Sequence, residues 1–326
     1  MAGASHSDHA VVESLREARS GVSKKLRIVL ALALAVLAVE IVGGFVTNSL
    51  ALFADAGHVA GDAVAVALAL GAIWLTSRPG GGQRTFGWYR AEIIAAMLNG
   101  GALLVIAGVI VWRAVERIGA DPEIAGGELL GFAAGGLLIN IASVVILREG
   151  QRDNLNVRGA YYHVVSDTLG SVGALIAGIV VLASGWVPVD LIVSMAIAVL
   201  IVASAVRLLR ETMDVLLEAA PAGMEVESVG AEVCRVAGVV GVHDLHLWTV
   251  TSGFPALSCH LEIEEEASAE EVLVRVTLRL RERFDLHHVT LQPESLALHN
   301  AMACCEFPDQ SAAYGAERQE AVASKS

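Results

Sequence analysis

His58-Val-Ala-Gly-Asp62 and His163-Val-Val-Ser-Asp167 are two copies of one pattern, and each lies inside an apolar stretch long enough to cross a bilayer. Residues four positions apart share one face of a helix, so each copy points an imidazole and a carboxylate the same way. Two such helices facing each other would present two nitrogens and two carboxylate oxygens, a ligand set suited to tetrahedral zinc. The pattern predicts a membrane α-helical bundle with a metal site inside it.

The composition supports a membrane location, because hydrophobic residues make up 55%, charged residues 17%, and the mean hydropathy is +0.62. A polar segment, residues 1–25, comes first and lacks the features of a cleaved secretory signal. Six transmembrane helices are predicted within residues 26–210. Their apolar segments are Leu26–Val46, Leu50–Trp74, Ile93–Val115, Leu129–Leu147, Val157–Ala183 and Pro188–Leu208.

Basic residues cluster before the first apolar segment, after the second, after the fourth and after the sixth, whereas the opposite connections carry few. Cytoplasmic loops retain positive charge, so both termini are expected on the cytoplasmic side. The expected membrane is the bacterial inner (plasma) membrane. The formal charge of −13 comes largely from Glu262–Glu271 and the tail. It indicates a solvated surface, and no nucleic-acid partner is expected.

Residues 211–305 predict a small α+β domain on the cytoplasmic side. Periodicity indicates a helix, two strands that form a hairpin, a second helix and a last strand, and this order suits helices laid on one side of an open sheet. The predicted elements are Met224–Ala237, Val239–Thr251, Ala256–Glu264, a helix from the capping box at Ser268 to Phe284, and His288–Gln292. Residues 306–326 are small and polar and are expected to be disordered.

Several motifs in one order resemble the cation diffusion facilitator transporters. They are Asn48–Asp62, Thr85–Glu92, Ala160–Asp167 and Val242–Trp248, and the resemblance covers about Leu26–Cys305. It implies a six-helix membrane domain, a ferredoxin-like, metallochaperone-like cytoplasmic domain and a homodimer in the lipid bilayer. It also implies export of zinc-type divalent cations in exchange for protons, with cadmium or cobalt as further cargo.

Physical chemistry supports the central site independently of the resemblance. Ionised Asp62 and Asp167 at bilayer depth need a partner, a water-filled cavity or a proton, and a bound dication satisfies both at once. Two His with two Asp give a neutral zinc complex. The simpler alternative is a pair of His–Asp hydrogen bonds that tie helices together, but two matched copies favour metal. Zinc needs neutral imidazole and ionised carboxylate, so protons compete with it, which predicts antiport.

Other polar residues are predicted inside the membrane. Asp55, three residues before His58, could orient a ligand or relay protons, and Glu40 and Asn99 are further candidates. Hydrogen bonds that pack helices together account for these residues equally well.

The resemblance assigns further metal positions outside the membrane. His243 and His260 match metal-binding positions, and Thr290 occupies the position of a third family histidine, with His287 and His288 nearby. The Cys304-Cys305 pair, with His6 and His9, resembles a zinc site shared across the dimer. The alternative is that the thiols are free and flexible and that the two histidines are a chance pair. Besides these two cysteines the chain has Cys234 and Cys259, and reduced thiols or metal ligands are favoured over disulfides in the cytoplasm.

The connection after the second apolar segment carries two predictions, one about a metal site and one about an ion pair. Ser77–Arg90 contains no His, Cys, Asp or Glu, so the extra metal site that some relatives place there is predicted to be absent. Arg90 matches a basic position that locks the membrane domain to the segment after the sixth helix, with Asp214 or Glu218 as its partner. A solvated loop arginine is the alternative.

The favoured function is a proton-coupled exporter of zinc, with zinc (Zn²⁺) as transported substrate and regulatory ion. One alternative is an intramembrane zinc hydrolase, which needs an open coordination position and a general base, but the chain contains no HExxH. Another is a membrane-anchored metal sensor, in which the transmembrane site is structural. The chain is therefore not expected to be an enzyme.

Overall fold

The structure is a computed structural model that describes residues 28, 30–76, 85–120, 122–148 and 155–295, with only the backbone of some residues in the second and fifth helices. The described residues form two units, which are described separately. The helical unit comprises residues up to Pro79 and Ile94–Leu209, and the sheet unit comprises Gly80–Ile93 and the residues from Arg210. The predicted segments 1–25 and 306–326 lie outside the described residues.

Long helices dominate the chain up to residue 216. They are α1 (Leu30–Thr47), α2 (Leu50–Thr76), α3 (Tyr89–Glu116), α4 (Gly126–Arg148), α5 (Leu155–Ser184) and α6 (Pro188–Leu216). Among the described residues, five helical segments are long and apolar enough to cross a membrane: α1, α3, α4, α6 and residues Asp167–Ser184 of α5. Helix α2, which carries His58 and Asp62, is described only in part and is not among the five.

Apolar side chains face outwards on the helical unit. Phe45 is 75% exposed, and Trp112 and Leu169 are each 69% exposed. A soluble protein rarely exposes so many large apolar side chains, whereas lipid accommodates them. The surface of this unit is therefore suited to a hydrocarbon environment.

Glycines let the helices of this unit approach closely. A Cβ atom at Gly178 of α5 would lie 3.0 Å from the backbone nitrogen of Leu130, and one at Gly126 of α4 would lie 3.0 Å from that of Leu182. The backbones of α4 and α5 are thus in direct contact, as small residues permit in membranes. Gly57 and Gly61 of α2 lie against side chains of α3 in the same way.

The sheet unit contains a three-stranded sheet in the order β1–β2–β3, with β1 and β2 antiparallel and β2 and β3 parallel. Its elements are α7 (Val226–Cys234), β1 (Val239–Thr251), β2 (Phe254–Ile263), α8 (Ala269–Phe284) and β3 (His288–Glu294). Val229 and Val233 of α7 and Val272, Val276 and Leu280 of α8 share one apolar core with the sheet. The predicted small sheet with two helices is confirmed.

The ends of several elements differ from the prediction. Helix α7 is shorter than Met224–Ala237, and β3 continues through Pro293 to Glu294 instead of ending at Gln292. Proline is tolerated in β3 because this strand lies at the edge of the sheet, where one side of the backbone needs no partner. The predicted cap of α8 is present, since the Ser268 hydroxyl accepts a hydrogen bond from the Glu271 backbone N–H at 3.5 Å.

Candidate metal centre

Helices α2 and α5 bring His58, Asp62 and Asp167 together. The Nε2 atom of His58 lies 3.7 Å from Oδ2 of Asp62 and 3.5 Å from Oδ1 of Asp167. Tetrahedral zinc with bonds of about 2.0–2.2 Å separates its ligand atoms by about 3.3–3.6 Å. Three donor atoms lie within 4.8 Å of one another, and the Asp167 side chain is 9% exposed. The spacing therefore suits one small cation better than direct hydrogen bonds, which are about 2.7–3.2 Å long.

His163, the fourth predicted ligand, lies on α5 four residues before Asp167. Its backbone is helical, so it shares a helix face with Asp167. Its side chain lies outside the described residues.

Asn99 contacts the backbone of α2, and no hydrogen bond to the candidate ligand side chains is found for it among the described residues. Its Nδ2 on α3 donates to the carbonyl oxygen of Gly61 at 3.2 Å, one residue before Asp62. Asn99 itself is 6% exposed. This hydrogen bond fixes α2 beside α3 at the level of the candidate site.

A second polar cluster lies next to the three candidate ligands. Asn140 Nδ2 donates to Ser171 Oγ at 3.0 Å, and Ser171 Oγ donates to Asp55 Oδ2 at 3.2 Å. The Glu40 carboxylate of α1 interacts with Asp55 at hydrogen-bonding range, and both residues are 1% exposed. Both carboxylates interact electrostatically with Asp167 of the candidate site, and Ser171 hydrogen-bonds this cluster from α5.

Asp190, at the start of α6, binds the start of α2, and sequence reasoning missed it. It accepts hydrogen bonds from the Leu50 backbone N–H at 2.8 Å, the Ala51 N–H at 3.2 Å and the Ser49 hydroxyl at 2.5 Å. A carboxylate at a helix N-terminus satisfies orphan donors and complements the helix dipole. Asp190 therefore fixes the start of α2 to α6. An acidic residue inside a predicted membrane segment was the available signal.

A separate cluster in the sheet unit contains His243, His260 and Glu294. His243 Nε2 lies 3.2 Å from Glu294 Oε2, and His260 Nδ1 lies 2.9 Å from Glu294 Oε1 without hydrogen-bond geometry. His243 and His260 face each other across the β1–β2 pair, and Glu294 ends β3. Two imidazoles and a carboxylate form a common zinc ligand set.

The Glu294 carboxylate is only 1% exposed. Burial raises its pKa, but a hydrogen bond from Gln292 and the charges of His260 and His243 outweigh burial and hold the pKa below its ordinary value. The ionised carboxylate can ligate a divalent ion only when the two imidazoles have lost their protons, so metal and protons compete for this cluster. Asp244, on the adjacent irregular part of β1, lies 3.7 Å from His260 Nε2.

Glu294, and not Thr290 or a nearby histidine, is the third member of this cluster. His287 pairs with Asp285 at 2.8 Å, and His288 contacts the rings of Phe86 and Phe254. Cys259 points into the apolar core, where burial raises the pKa of its thiol to about 12. His6, His9, Cys304 and Cys305 lie outside the described residues, as does most of Ser77–Arg90.

The start of α3 is attached to the rest of the sheet unit. The Arg90 guanidinium lies 2.7 Å from Glu218 Oε1, whereas Asp214 is exposed and is not the arginine's partner in the structure. Glu92 accepts hydrogen bonds from Thr251 at 2.9 Å and from Ser252 at 3.3 Å, in the turn between β1 and β2. These contacts hold residues 89–93, which belong to the sheet unit, to the hairpin and to the segment after α6.

Comparison with known proteins gives matches over nearly all of the described chain. The family model described as "Cation efflux transmembrane domain" matches residues 26–217, and the one described as "Cation efflux protein, cytoplasmic domain" matches residues 221–296. A solved structure titled "Metal-bound C-terminal domain of the CzcD transporter from Cuprividus metallidurans" is 35% identical. It covers 22% of this chain and 99% of its own, with a TM-score of 0.21.

Three bacterial relatives match at full-length scale. The "Cadmium, cobalt and zinc/H(+)-K(+) antiporter" of Bacillus subtilis strain 168 is 37% identical over 82% of this chain and 88% of the relative. The "Zinc transporter ZitB" of Escherichia coli strain K12 is 39% identical over 80% and 84%, respectively. The "Metal cation efflux system protein CzcD" of Cupriavidus metallidurans is 38% identical over 91% and 94%.

These matches cover both the helical part and the sheet domain. The matching families and relatives are metal transporters and not enzymes. With its membrane-spanning helices, the chain is an integral membrane protein. It belongs to the cation diffusion facilitator family, in the branch of zinc, cadmium and cobalt efflux proteins.

Proposed function

We propose that this chain exports zinc from the cytoplasm, with cadmium or cobalt as further cargo, by alternating access around His58, Asp62, His163 and Asp167. The observation that carries the proposal is the convergence of donor atoms from His58, Asp62 and Asp167 within 4.8 Å of one another. The printed names of the relatives, which include zinc, cadmium and cobalt transporters, support this class of cargo.

The chemistry of the ligands supports the same cargo. His163 completes a set of two imidazoles and two carboxylates, which makes a neutral complex with a divalent ion and lowers the cost of holding it away from water. The helices that carry the two pairs can move apart without breaking a covalent connection, since α2 and α5 are separate elements. Release on the far side of the membrane then requires only a change in their separation.

Protons are the counter-ion of the exchange. Zinc binds neutral imidazole and ionised carboxylate, so protons and metal compete for the same groups. Metal arriving from the cytoplasm displaces protons, and protons arriving from outside displace metal. The name of the Bacillus relative, which contains H(+), supports this coupling.

The membrane arrangement follows from this role. Helix α2 also spans the membrane and brings the number of spans to six, because its 27 residues exceed the length that a bilayer requires. Both termini are cytoplasmic, and the membrane is the bacterial inner membrane. The transport domain is residues 26–210, and the cytoplasmic domain is residues 211–305. The latter is ferredoxin-like without a first strand, and it mediates a homodimer that light scattering in detergent would detect.

The cytoplasmic domain holds a second metal site. His243, His260 and Glu294 supply its ligands, and its zinc regulates transport. The Cys304-Cys305 pair with His6 and His9 forms an additional zinc site across the dimer. Arg90 and Glu218, 2.7 Å apart, connect the start of α3 to the segment after α6.

Flux in proteoliposomes tests the proposal. Wild-type protein should accumulate zinc in sealed vesicles when an opposing proton gradient is imposed, whereas Asp62→Asn and Asp167→Asn should fall to the level of protein-free vesicles. Glu128→Gln, which neutralises an exposed carboxylate at the start of α4, is the matched control and should transport normally. Gel filtration monitors folding. A wild-type protein that binds zinc and moves none would be a sensor, which contradicts the proposal.

A further inference from the structure

Asp244 and His246 form a second polar pair beside the three candidate ligands of the sheet unit. His246 Nε2 lies 2.8 Å from Asp244 Oδ1, and the two side chains are 50% and 20% exposed, respectively. His246 also lines an open cavity of about 860 Å³ within this unit. The side chains of His243 and Glu294, by contrast, are 9% and 1% exposed. The pair is therefore more accessible than the buried ligands to an ion that arrives from water.

A bulge in β1 directs the Asp244 side chain towards the histidines. The pairing of β1 with β2 shifts between His243 and His246, and Asp244 lies at this irregularity. Its backbone φ is 48°, a left-handed conformation that aspartate tolerates better than most residues. The next residue, Leu245, packs in the apolar core of the sheet unit. Bulges commonly redirect a side chain in this way, and here the redirected group is a carboxylate between imidazoles.

His260 lies between two carboxylates. Its Nδ1 atom is 2.9 Å from Glu294 Oε1, and its Nε2 atom is 3.7 Å from Asp244 Oδ2. Imidazoles and carboxylates thus alternate from the exposed end of the cluster to its buried end, in the order His246, Asp244, His260, Glu294 and His243. Each carboxylate has an imidazole nitrogen on either side.

This alternating set suits a zinc-type ion. Imidazole nitrogen and carboxylate oxygen together bind divalent ions of the first transition row, whereas Mg²⁺ and Ca²⁺ prefer oxygen alone. A neutral imidazole binds metal through one nitrogen and keeps a proton on the other. His260 can therefore ligate an ion on the side of Asp244 or on the side of Glu294, but not on both at once. Its other nitrogen then donates to the facing carboxylate, as metal-bound histidines usually do.

We propose that Asp244 and His246 form an outer metal position through which a divalent ion reaches the buried site. The ion binds first to His246, Asp244 and Nε2 of His260, with water as its remaining ligand. It then moves to His243, Glu294 and Nδ1 of His260. During this move Nδ1 gives its proton to water and Nε2 takes one up, so the charge of the ring is the same before and after. This inference rests on the cytoplasmic metal site of the proposed function and adds its route of entry.

The His246→Ala variant tests this route, because it removes an exposed imidazole and leaves the buried ligands in place. An intermediate position on the path speeds arrival and departure equally. We therefore expect His246→Ala to slow both association and dissociation of zinc by about tenfold or more and to leave Kd unchanged. His287→Ala is the matched control, since His287 is 51% exposed and pairs with Asp285 at 2.8 Å in the same manner, and it should alter neither rate.

Stopped-flow fluorescence of a zinc indicator measures association by competition, and capture of released zinc by excess chelator measures dissociation. The sample is the full chain in detergent, with the other proposed zinc ligands removed by Asp62→Asn, Asp167→Asn, Cys304→Ser and Cys305→Ser. Unchanged rates in His246→Ala overturn the proposal. Faster dissociation with a raised Kd also overturns it, because His246 would then be a ligand of the final site.

A second set of variants isolates the outer position at equilibrium. In the same sample, His243→Ala with Glu294→Gln removes two ligands of the buried site. We expect this protein to retain one weak site for Co²⁺, detected by its visible absorption, and the further change His246→Ala should abolish that absorption. No Co²⁺ absorption before His246→Ala, or equal absorption after it, overturns the proposal.

Zinc affinity separates failure of the outer position from failure of the cytoplasmic site itself. If Glu294→Gln leaves zinc binding as it is in the wild type, the chain has no buried site of the proposed kind. If Glu294→Gln weakens binding while His246→Ala alters neither rate, the buried site stands and only the outer position is refuted.

Discussion

Glu294 is the residue on which the cytoplasmic metal site depends. It is the only acid among the three candidate ligands there, and it reaches both His243 and His260 from the end of an edge strand. Its buried position leaves little room for a water molecule to replace it as a ligand. The zinc affinity of this site should therefore be sensitive to a neutral substitution at this one position.

Glu294→Gln should weaken zinc binding at the cytoplasmic site, because the amide carries no negative charge. Removal of a partner that only supports a ligand lowers metal affinity by about 10–100-fold, and the loss of a ligand itself should be at least as large. Titration calorimetry of the full chain should resolve a tight site that becomes weak in the variant. Glu264→Gln, in an exposed carboxylate just after β2, is the control. Equal affinity in Glu294→Gln and wild type would exclude Glu294 as a ligand.

The candidate ligands differ in how far the sequence predicts them. Helical spacing predicts that His58 and Asp62 share a face of α2, and that Asp167 shares a face of α5 with His163, because residues four apart lie on the same side of a helix. Glu294 does not follow from such spacing, since the predicted strand ended at Gln292, before Pro293. The proline is compatible with the strand only because β3 lies at the edge, which local sequence does not determine.

At the scale of elements, Asp190 determines how α2 begins. Its carboxylate accepts from Ser49, Leu50 and Ala51, residues about 140 positions away in the chain. Arg117 strengthens the same junction, since it donates to the Asn48 carbonyl at 2.8 Å and lies 3.9 Å from Asp190 Oδ2. The helix that carries His58 and Asp62 is thus positioned by α6 and by the end of α3.

Asp190→Ala should lower the stability of the protein, because two backbone N–H groups of α2 lose their acceptor in a buried place. The expected cost is about 1–3 kcal/mol for each unsatisfied group. Thermal unfolding in detergent, followed by circular dichroism, measures the shift of the midpoint, and Glu128→Ala provides the exposed control. A midpoint equal to that of wild type would show that this cap does not hold α2.

Apolar length predicts several of the candidate membrane helices, as Pro188–Leu208 lies within the observed α6 and Leu129–Leu147 within α4. Contacts between these elements do not follow from length. The cap at Asp190 and the cluster of Glu40, Asp55 and Ser171 each join helices distant in sequence, and every member is also plausible as a packing residue. Only the folded structure shows which of these polar residues cap a helix and which belong to the buried cluster.

At the scale of the whole molecule, the chain combines a helical unit with a metal-suited cluster and a sheet unit with another. Glu92 and Arg90 attach the first turn of α3 to the sheet unit through Thr251 and Glu218. Metal at His243, His260 and Glu294 would bind on the same sheet whose hairpin holds α3.

X-ray absorption at the zinc edge tests the central claim that α2 and α5 together hold one ion. The sample is full-length protein carrying His243→Ala, His260→Ala, Cys304→Ser and Cys305→Ser, loaded with one zinc per chain. The account predicts four nitrogen or oxygen neighbours at about 2.0–2.2 Å, two of them imidazoles, and a single imidazole after the further change His163→Ala. A first shell that His163→Ala leaves unaltered would contradict it.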